Sequence, residues 1–222
     1  MNNILIKVEN LVKTFGGLVA LNDCSLEIKD KAITGIIGPN GSGKTTLFNV
    51  ITGNLKPDTG KVFYNGVEIT NEESHDLFHL GVLRTFQIAH EFSNMTVIEN
   101  LMVVPGNQKG EKLLYSLMNS QKIKKEDELI KDKAMEVLKF LKIEHLKNER
   151  AGNLSGGQKK LLELARTMMV DAKIVFLDEV GAGVNKTLLR DISDSILKLN
   201  QDKGYTFCMI EHDFNFISEL CD

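Results

Sequence analysis

The stretch "AITGIIGPNGSGKTTLFNVI", Ala32 to Ile51, sets a compact apolar run against a glycine-rich loop and then apolar residues at helical spacing. That order, buried strand, loop, helix, belongs to folds whose strands alternate with helices. Gly38-Pro39-Asn40-Gly41-Ser42-Gly43-Lys44-Thr45 carries the pattern G-x-x-x-x-G-K-[ST] in that setting, and the polar run continues to Thr46. Its glycines let backbone N–H groups turn inward and approach phosphate oxygens closely. The positive end of the following helix faces the same anion. Lys44 is expected to reach the β- and γ-phosphates of a nucleoside triphosphate, and the Thr45 hydroxyl to coordinate Mg2+.

The rest of the chain follows the same alternation. Ile4 to Val12 and Cys24 to Ile28 alternate as short strands, and "VFYNGVEI", Val62 to Ile69, reads as a hairpin turning at Asn65-Gly66. From Glu72 to about Val170 charged helical stretches dominate, such as "KKEDELIKDKAMEVLKFLK". Strand-like runs return at "KIVFLDE", Lys173 to Glu179, and "YTFCMIEH", Tyr205 to His212, with a helical run between them. A mainly parallel sheet covered on both faces is therefore expected, with a core at about 1–88 and 168–222 and a helical insertion at about 89–167.

Bulk properties exclude several classes. Lys and Arg number 27 against 30 Asp and Glu, a net charge of −3, so no broad basic field exists for nucleic acid. Cys24, Cys208 and Cys221 are scattered without a C-x-x-C pair, which argues against a disulfide framework or a zinc site. No window approaches the roughly 18 apolar residues of a membrane helix. A soluble, cytoplasmic chain is expected.

"IVFLDE" places Asp178 and Glu179 at the carboxyl end of a buried strand, where open α/β sheets bind ligands. Asp178 suits the Mg2+ shell, and Glu179 could polarise a water for in-line attack on the γ-phosphate. A second bare helix start lies far downstream in "NLSGGQKKLLELA". Ser155 can cap that helix, and Gly156 and Gly157 leave its amide end open to an anion. An ordinary N-cap accounts for the same letters.

"LSGGQ", Leu154 to Gln158, with the phosphate loop and "IVFLDE", resembles the ATP-binding subunit of an ABC transporter along essentially the whole chain. The resemblance implies a P-loop ATPase core with an N-terminal antiparallel β subdomain and an inserted helical one. In that family Ser155, Gly156, Gly157 and Gln158 would close over the γ-phosphate held by another subunit, so that two subunits sandwich two ATP molecules head to tail. Gln87, in "RTFQ", stands in the place of the glutamine that touches Mg2+ and moves with the transmembrane subunit. Apolar Phe92 and Val97, just after it, are expected near that contact, with packing inside the helical subdomain as the alternative. His212 takes the switch-histidine position near the γ-phosphate, and Phe15 the place of the aromatic that stacks on adenine. Gly183-Val184-Asn185 stands at the loop that crosses the dimer interface.

Around these motifs "FGGLVAL", "FNVITG", "RTFQ" and "NMTVIENLMV" are similar to the branched-chain amino-acid importer group. The implied activity is ATP hydrolysis with Mg2+, powering import of branched-chain or related amino acids. The implied partners are transmembrane permease subunits, an external solute-binding protein, and a second copy or a paralogous ATPase, on the inner face of the cell membrane. The alternatives are a catalytically poor nucleotide-sensing module and a non-transport ABC ATPase. The latter resembles chains with a long coiled coil or two tandem cassettes, and here there is one phosphate loop. Val180 stands where the family has proline, and Asn185 where the broader family has aspartate. The family also continues with further strands and a helix beyond the position of Asp222, so a shortened C-terminal end is expected.

Overall fold

The computed structural model describes residues 3–85, 91–106, 108 and 120–221. The chain forms two compact units, Met1–Gln87 with Ala172–Ala182 and Ile196–Asp222, and Ile88–Asp171 with Gly183–Ser195.

The first unit holds two sheets. β1 (Ile4–Phe15), β2 (Leu18–Lys29), β4 (Thr59–Tyr64) and β5 (Val67–Glu68) form an antiparallel sheet in the order β2-β1-β4-β5. The turn joining β4 to β5 has positive φ at both Asn65 (47°) and Gly66 (80°), the type I′ geometry that the Asn-Gly pair favours. β3 (Ile33–Ile36), β6 (Val82–Arg84), β7 (Ile174–Asp178) and β8 (Thr206–Ile210) form a parallel sheet in the order β3-β8-β7-β6. Every residue of β7 and β8 is buried, which explains the unbroken apolar stretches 174–177 and 207–210 within them. β6 departs from the helical pattern expected beyond Glu72. Its three residues are too few to show a period, and pairing with β7 from Val82–Ile174 to Arg84–Phe176 makes the strand.

Helix α1 (Lys44–Ile51) lies between the sheets' apolar residues and joins them into one core. Phe48, fully buried, meets Phe176 of β7 edge to face at 4.9 Å. Ile6, Leu11, Ile28, Ile51 and Ile210 pack in the same cluster. Truncating a buried phenylalanine at such a junction costs about 3–5 kcal/mol. α2 (Ser74–His79) precedes β6, and α7 (Phe214–Leu220) follows β8. Gly35 of β3 leaves room for α7, since a Cβ there would come within 2.8 Å of Ile217 and 2.9 Å of the Cys221 sulfur.

The second unit is helical. It contains α3 (Val97–Met102), α4 (Ser120–Phe140), α5 (Gly156–Met168) and the start of α6 (Lys186–Lys203). Thr96 and Glu99 form a reciprocal capping box that starts α3. Leu101, Leu138, Leu141, Leu161, Leu162 and Ala165 make its buried core. Leu161, Leu162, Leu164 and Ala165 make the buried face of α5, with buried Met169 just after it and Met168 half-buried.

Among the described residues no helix is long and apolar enough to cross a membrane. All three cysteines are free, with Cys208 buried and Cys24 and Cys221 half-buried. Burial raises the Cys208 thiol well above the usual range, so it behaves as a small apolar residue.

Candidate nucleotide-binding site

The loop from Gly38 to Gly43 is shaped by contacts that only glycine allows at two places. A Cβ on Gly43, where φ is 89°, would come within 2.3 Å of the Ala20 carbonyl oxygen of β2. One on Gly38 would approach the Ser42 hydroxyl oxygen to 2.9 Å. Gly41, by contrast, faces open space. Pro39, Asn40, Gly41 and Ser42 are exposed, so their backbone lies open to a ligand. Lys44 is 9% exposed, and its Nζ donates to the carbonyl oxygens of Gly38 (2.7 Å) and Pro39 (2.8 Å). Its ammonium is thus held across the loop's concave face by neutral acceptors. Thr45 is exposed at the first turn of α1 and Thr46 half-buried beside it. Phe15 ends β1 with its ring 45% exposed and the Lys13 ammonium 5.7 Å from its centre. An exposed aromatic is available there for stacking, and β1 pairs with the strand that touches the loop at Ala20.

Asp178 ends β7 and is 1% exposed. Its Oδ2 accepts from Arg84 Nη2 at 2.8 Å, while Arg84 Nη1 donates to Asn49 Oδ1. Its Oδ1 is buried without a hydrogen-bond partner. A buried carboxylate oxygen left open in this way fits a missing cation or its water, and the donor set of a hydroxyl and a carboxylate suits Mg2+. The sequence reading missed Arg84. No signal for it was available, because β6, the short strand it ends, carries no period of its own and is made by pairing with β7.

Glu179 follows with φ at 51°, a left-handed conformation uncommon outside glycine. That turn carries its side chain out of the strand's alternation, and its Oε1 meets His212 Nε2 at 3.0 Å. The two residues lie at the carboxyl ends of neighbouring strands β7 and β8, which pair up to Asp178–Ile210. The Glu179 N–H donates to Ile210 O at 2.9 Å, which fixes the turn. Glu211, buried just before His212, accepts the Gly181 N–H at 2.7 Å. This carboxylate anchors the segment that follows Glu179 and Val180. Sequence reasoning did not single out Glu211, since a lone acidic residue at a strand end carries no distinguishing pattern.

In the second unit Ser155 caps α5. Its hydroxyl accepts the Gln158 N–H at 3.4 Å, and Gln158 Oε1 accepts the Ser155 N–H at 2.9 Å. The ordinary cap is therefore present. The two glycines differ: Gly156 is exposed with no atom within 4 Å of an added Cβ, whereas Gly157 is buried against α6, where a Cβ would lie 2.2 Å from Leu188 Cδ2. Asn185 caps α6, its Oδ1 accepting the Leu188 N–H at 2.9 Å, so asparagine does there what aspartate would. Gly183 is exposed with φ at 73°. Val97 is fully buried in α3, which makes it a packing residue rather than a surface contact. Phe92 is 48% exposed, with the Arg166 guanidinium 5.5 Å from its ring centre. Gln87 lies outside the described residues.

The sequence profile of the ABC transporter family matches residues 21–182. The chain is 44% identical over 218 residues to the probable branched-chain amino acid transport ATP-binding protein LivG of Methanocaldococcus jannaschii, across 98% of this chain and 84% of that protein. An ATP-binding cassette of an ABC transporter, solved in its ADP conformation, superposes with a TM-score of 0.82 at 43% identity, covering 99% of this chain and 85% of that one. The dimeric structure of a bacterial ABC transporter cassette superposes at 0.78 with 26% identity, covering 96% and 90%. The matched stretch begins in β2, takes in the phosphate loop and the capped start of α5, and ends beyond Glu179; the chain belongs to the ABC transporter family and has the fold of its ATP-binding cassettes.

Proposed function

We propose that this chain binds and hydrolyses ATP to power an importer of branched-chain or related amino acids. The observation that carries the reading is the pairing of Glu179 with His212 at 3.0 Å, beside Asp178 and in the unit that also holds the phosphate loop. The relatives named as branched-chain amino acid transport ATP-binding proteins support the choice of solute class.

The chain's own residues suit the reaction. Backbone amides from Gly38 to Gly43, with Lys44, neutralise the phosphates and hold them in line. Thr45, Asp178 and Gln87 would hold Mg2+, with Asp178 oriented by Arg84. Bound there, the ion would spread the charge that develops on the phosphate oxygens. Glu179 accepts the proton of the attacking water, and His212 fixes the carboxylate's orientation. Phe15 offers its face to the adenine ring. The first unit serves as the nucleotide-binding core and the second as the helical subdomain.

The open amides at Gly156, with Ser155, Gly157 and Gln158, serve the nucleotide of a second subunit, arranged head to tail. The dimeric cassette among the similar structures supports that arrangement. Permease subunits and an external solute-binding protein complete the machine, and the chain works on the inner face of the membrane. Phosphate release from Mg-ATP by wild type, Glu179→Gln and Lys44→Ala tests the reading. Turnover in wild type and loss in both variants is the expected result; equal turnover in all three removes these residues from the site.

A further inference from the structure

Helix α2 carries no residue used in the nucleotide chemistry, yet it brings two imidazoles together. His75 and His79 are four residues apart and so share a helix face. Their Nε2 atoms are 3.3 Å apart, and their rings cross at 78° with centroids separated by 4.6 Å. Both side chains are exposed. One ring can donate to the other at this separation when no ion is bound. The same separation also fits a chelate. Two nitrogens each about 2.0–2.1 Å from one ion, at a tetrahedral angle, lie about 3.3–3.4 Å apart.

We propose that His75 and His79 form a chelating site for a late first-row divalent ion: Zn2+, Ni2+ or Cu2+. Imidazole nitrogen suits these ions, whereas Mg2+ and Ca2+ prefer oxygen and are not expected there. The surroundings agree. Asp76 Oδ1 lies 3.6 Å from His75 Nδ1, the ring's other nitrogen. A carboxylate on that side favours hydrogen on Nδ1 and leaves the Nε2 lone pair for the ion. The Phe78 ring packs edge-on against His79 at 5.7 Å and restricts its swing. Exposed Glu72 and Glu73, just before the helix, add negative potential.

Among the described residues no group of three or more His, Cys, Asp or Glu is placed to hold an ion, so the pair supplies two ligands and water the rest. Such a site is open and exchanges its ion readily. An ion held by both rings ties the turns of α2 together, and α2 leads through Gly81 into β6 and Arg84.

The test uses the full chain without a polyhistidine tag and without nucleotide. Calorimetric titration with Ni2+ should show a site that either His75→Ala or His79→Ala weakens by about tenfold or more, because one ring loses the help of the other. His145→Ala, removing an exposed histidine elsewhere, should leave this site unchanged. Both α2 side chains are exposed, so neither variant threatens folding. With one equivalent of Cu2+, paramagnetic resonance should show two equatorial nitrogens in wild type and one in each variant. Wild-type Ni2+ affinity in either variant, or a single nitrogen in the wild-type spectrum, overturns the proposal.

Discussion

Lys44 and Arg84 are two nearly buried cations at the carboxyl ends of parallel strands or just beyond them, and they should fail in different ways when removed. Lys44 is held by the neutral carbonyls of Gly38 and Pro39, so its removal strands no carboxylate. Lys44→Ala should leave the urea midpoint near wild type but weaken Mg-ATP binding by about ten- to a hundredfold, the worth of charge-assisted contacts of about 1.5–3 kcal/mol. Arg84 neutralises Asp178, which is 1% exposed. Arg84→Ala leaves that charge buried and alone, so it should lower stability by about 3–5 kcal/mol before any nucleotide is added. Urea denaturation and calorimetry on both variants separate the two roles, and equal stability loss would refute the distinction. Gly156 and Gly157 form a second contrasting pair. Ala at 157 meets Leu188 and should cost about 1–3 kcal/mol by overpacking, while Ala at 156 meets nothing and should leave the melting temperature unchanged. The sequence makes these two glycines look alike. What separates them is a leucine about thirty residues away, a tertiary contact with no local signature.

At the scale of elements, the end of β1 is tied to the start of β4 through one carboxylate. Asp58 accepts hydrogen bonds from the Thr14 hydroxyl (2.7 Å), the Lys13 ammonium (2.9 Å) and the Thr14 N–H (2.7 Å). Led by the Thr14 hydroxyl, these donors lower its pKa from 3.8 to about 2. The folded value lies below the unfolded one, so the tie is fully present above the unfolded pKa and is lost as pH falls from there through about 2. Asp58→Asn should therefore flatten the acid limb of stability within that window, with the wild-type and variant slopes coinciding near neutrality. Thermal melts across the acid range check this, and identical acid limbs would show that the tie contributes nothing. Elements with strong local patterns were legible: the β4–β5 turn at Asn65-Gly66, the helix spanning Ser120–Phe140, and the largely apolar β7 and β8. β6 was not, because three residues carry no period and pairing with β7 creates it. For Val97 the sequence left two places open, because an apolar residue near a loop has the same letter whether it faces a partner or, as here, the core.

At the scale of the whole molecule, motif order made the family readable, since "GPNGSGKTT", "LSGGQ" and "IVFLDE" occur in sequence with their strands and helices. Motifs name the ends of strands but not what orients them, so Arg84 and Glu211 emerged only from the packed structure. The two units hold different parts of the proposed shared-nucleotide arrangement. The first holds the phosphate loop, Glu179 and His212; the second holds the capped start of α5, with Gly156 exposed. If that open helix end serves a second copy's γ-phosphate, bound ATP stabilises only the associated state and shifts it by mass action. Hydrolysis then dissolves the joint. Glu179→Gln keeps the side chain's size and its reach to His212 but cannot take the water's proton, so ATP should persist. That variant should become dimeric with ATP and stay monomeric with ADP, which lacks the third phosphate. Adding Ser155→Arg puts a long cation on an exposed position and removes the cap that Gln158 completes, so the dimer should be lost while ATP binding at the phosphate loop survives. Light scattering after size exclusion, with each nucleotide in the running buffer, reads the mass directly. A Glu179→Gln chain that binds ATP to saturation yet stays monomeric would sink the shared-nucleotide arrangement and leave Ser155 as a helix cap alone.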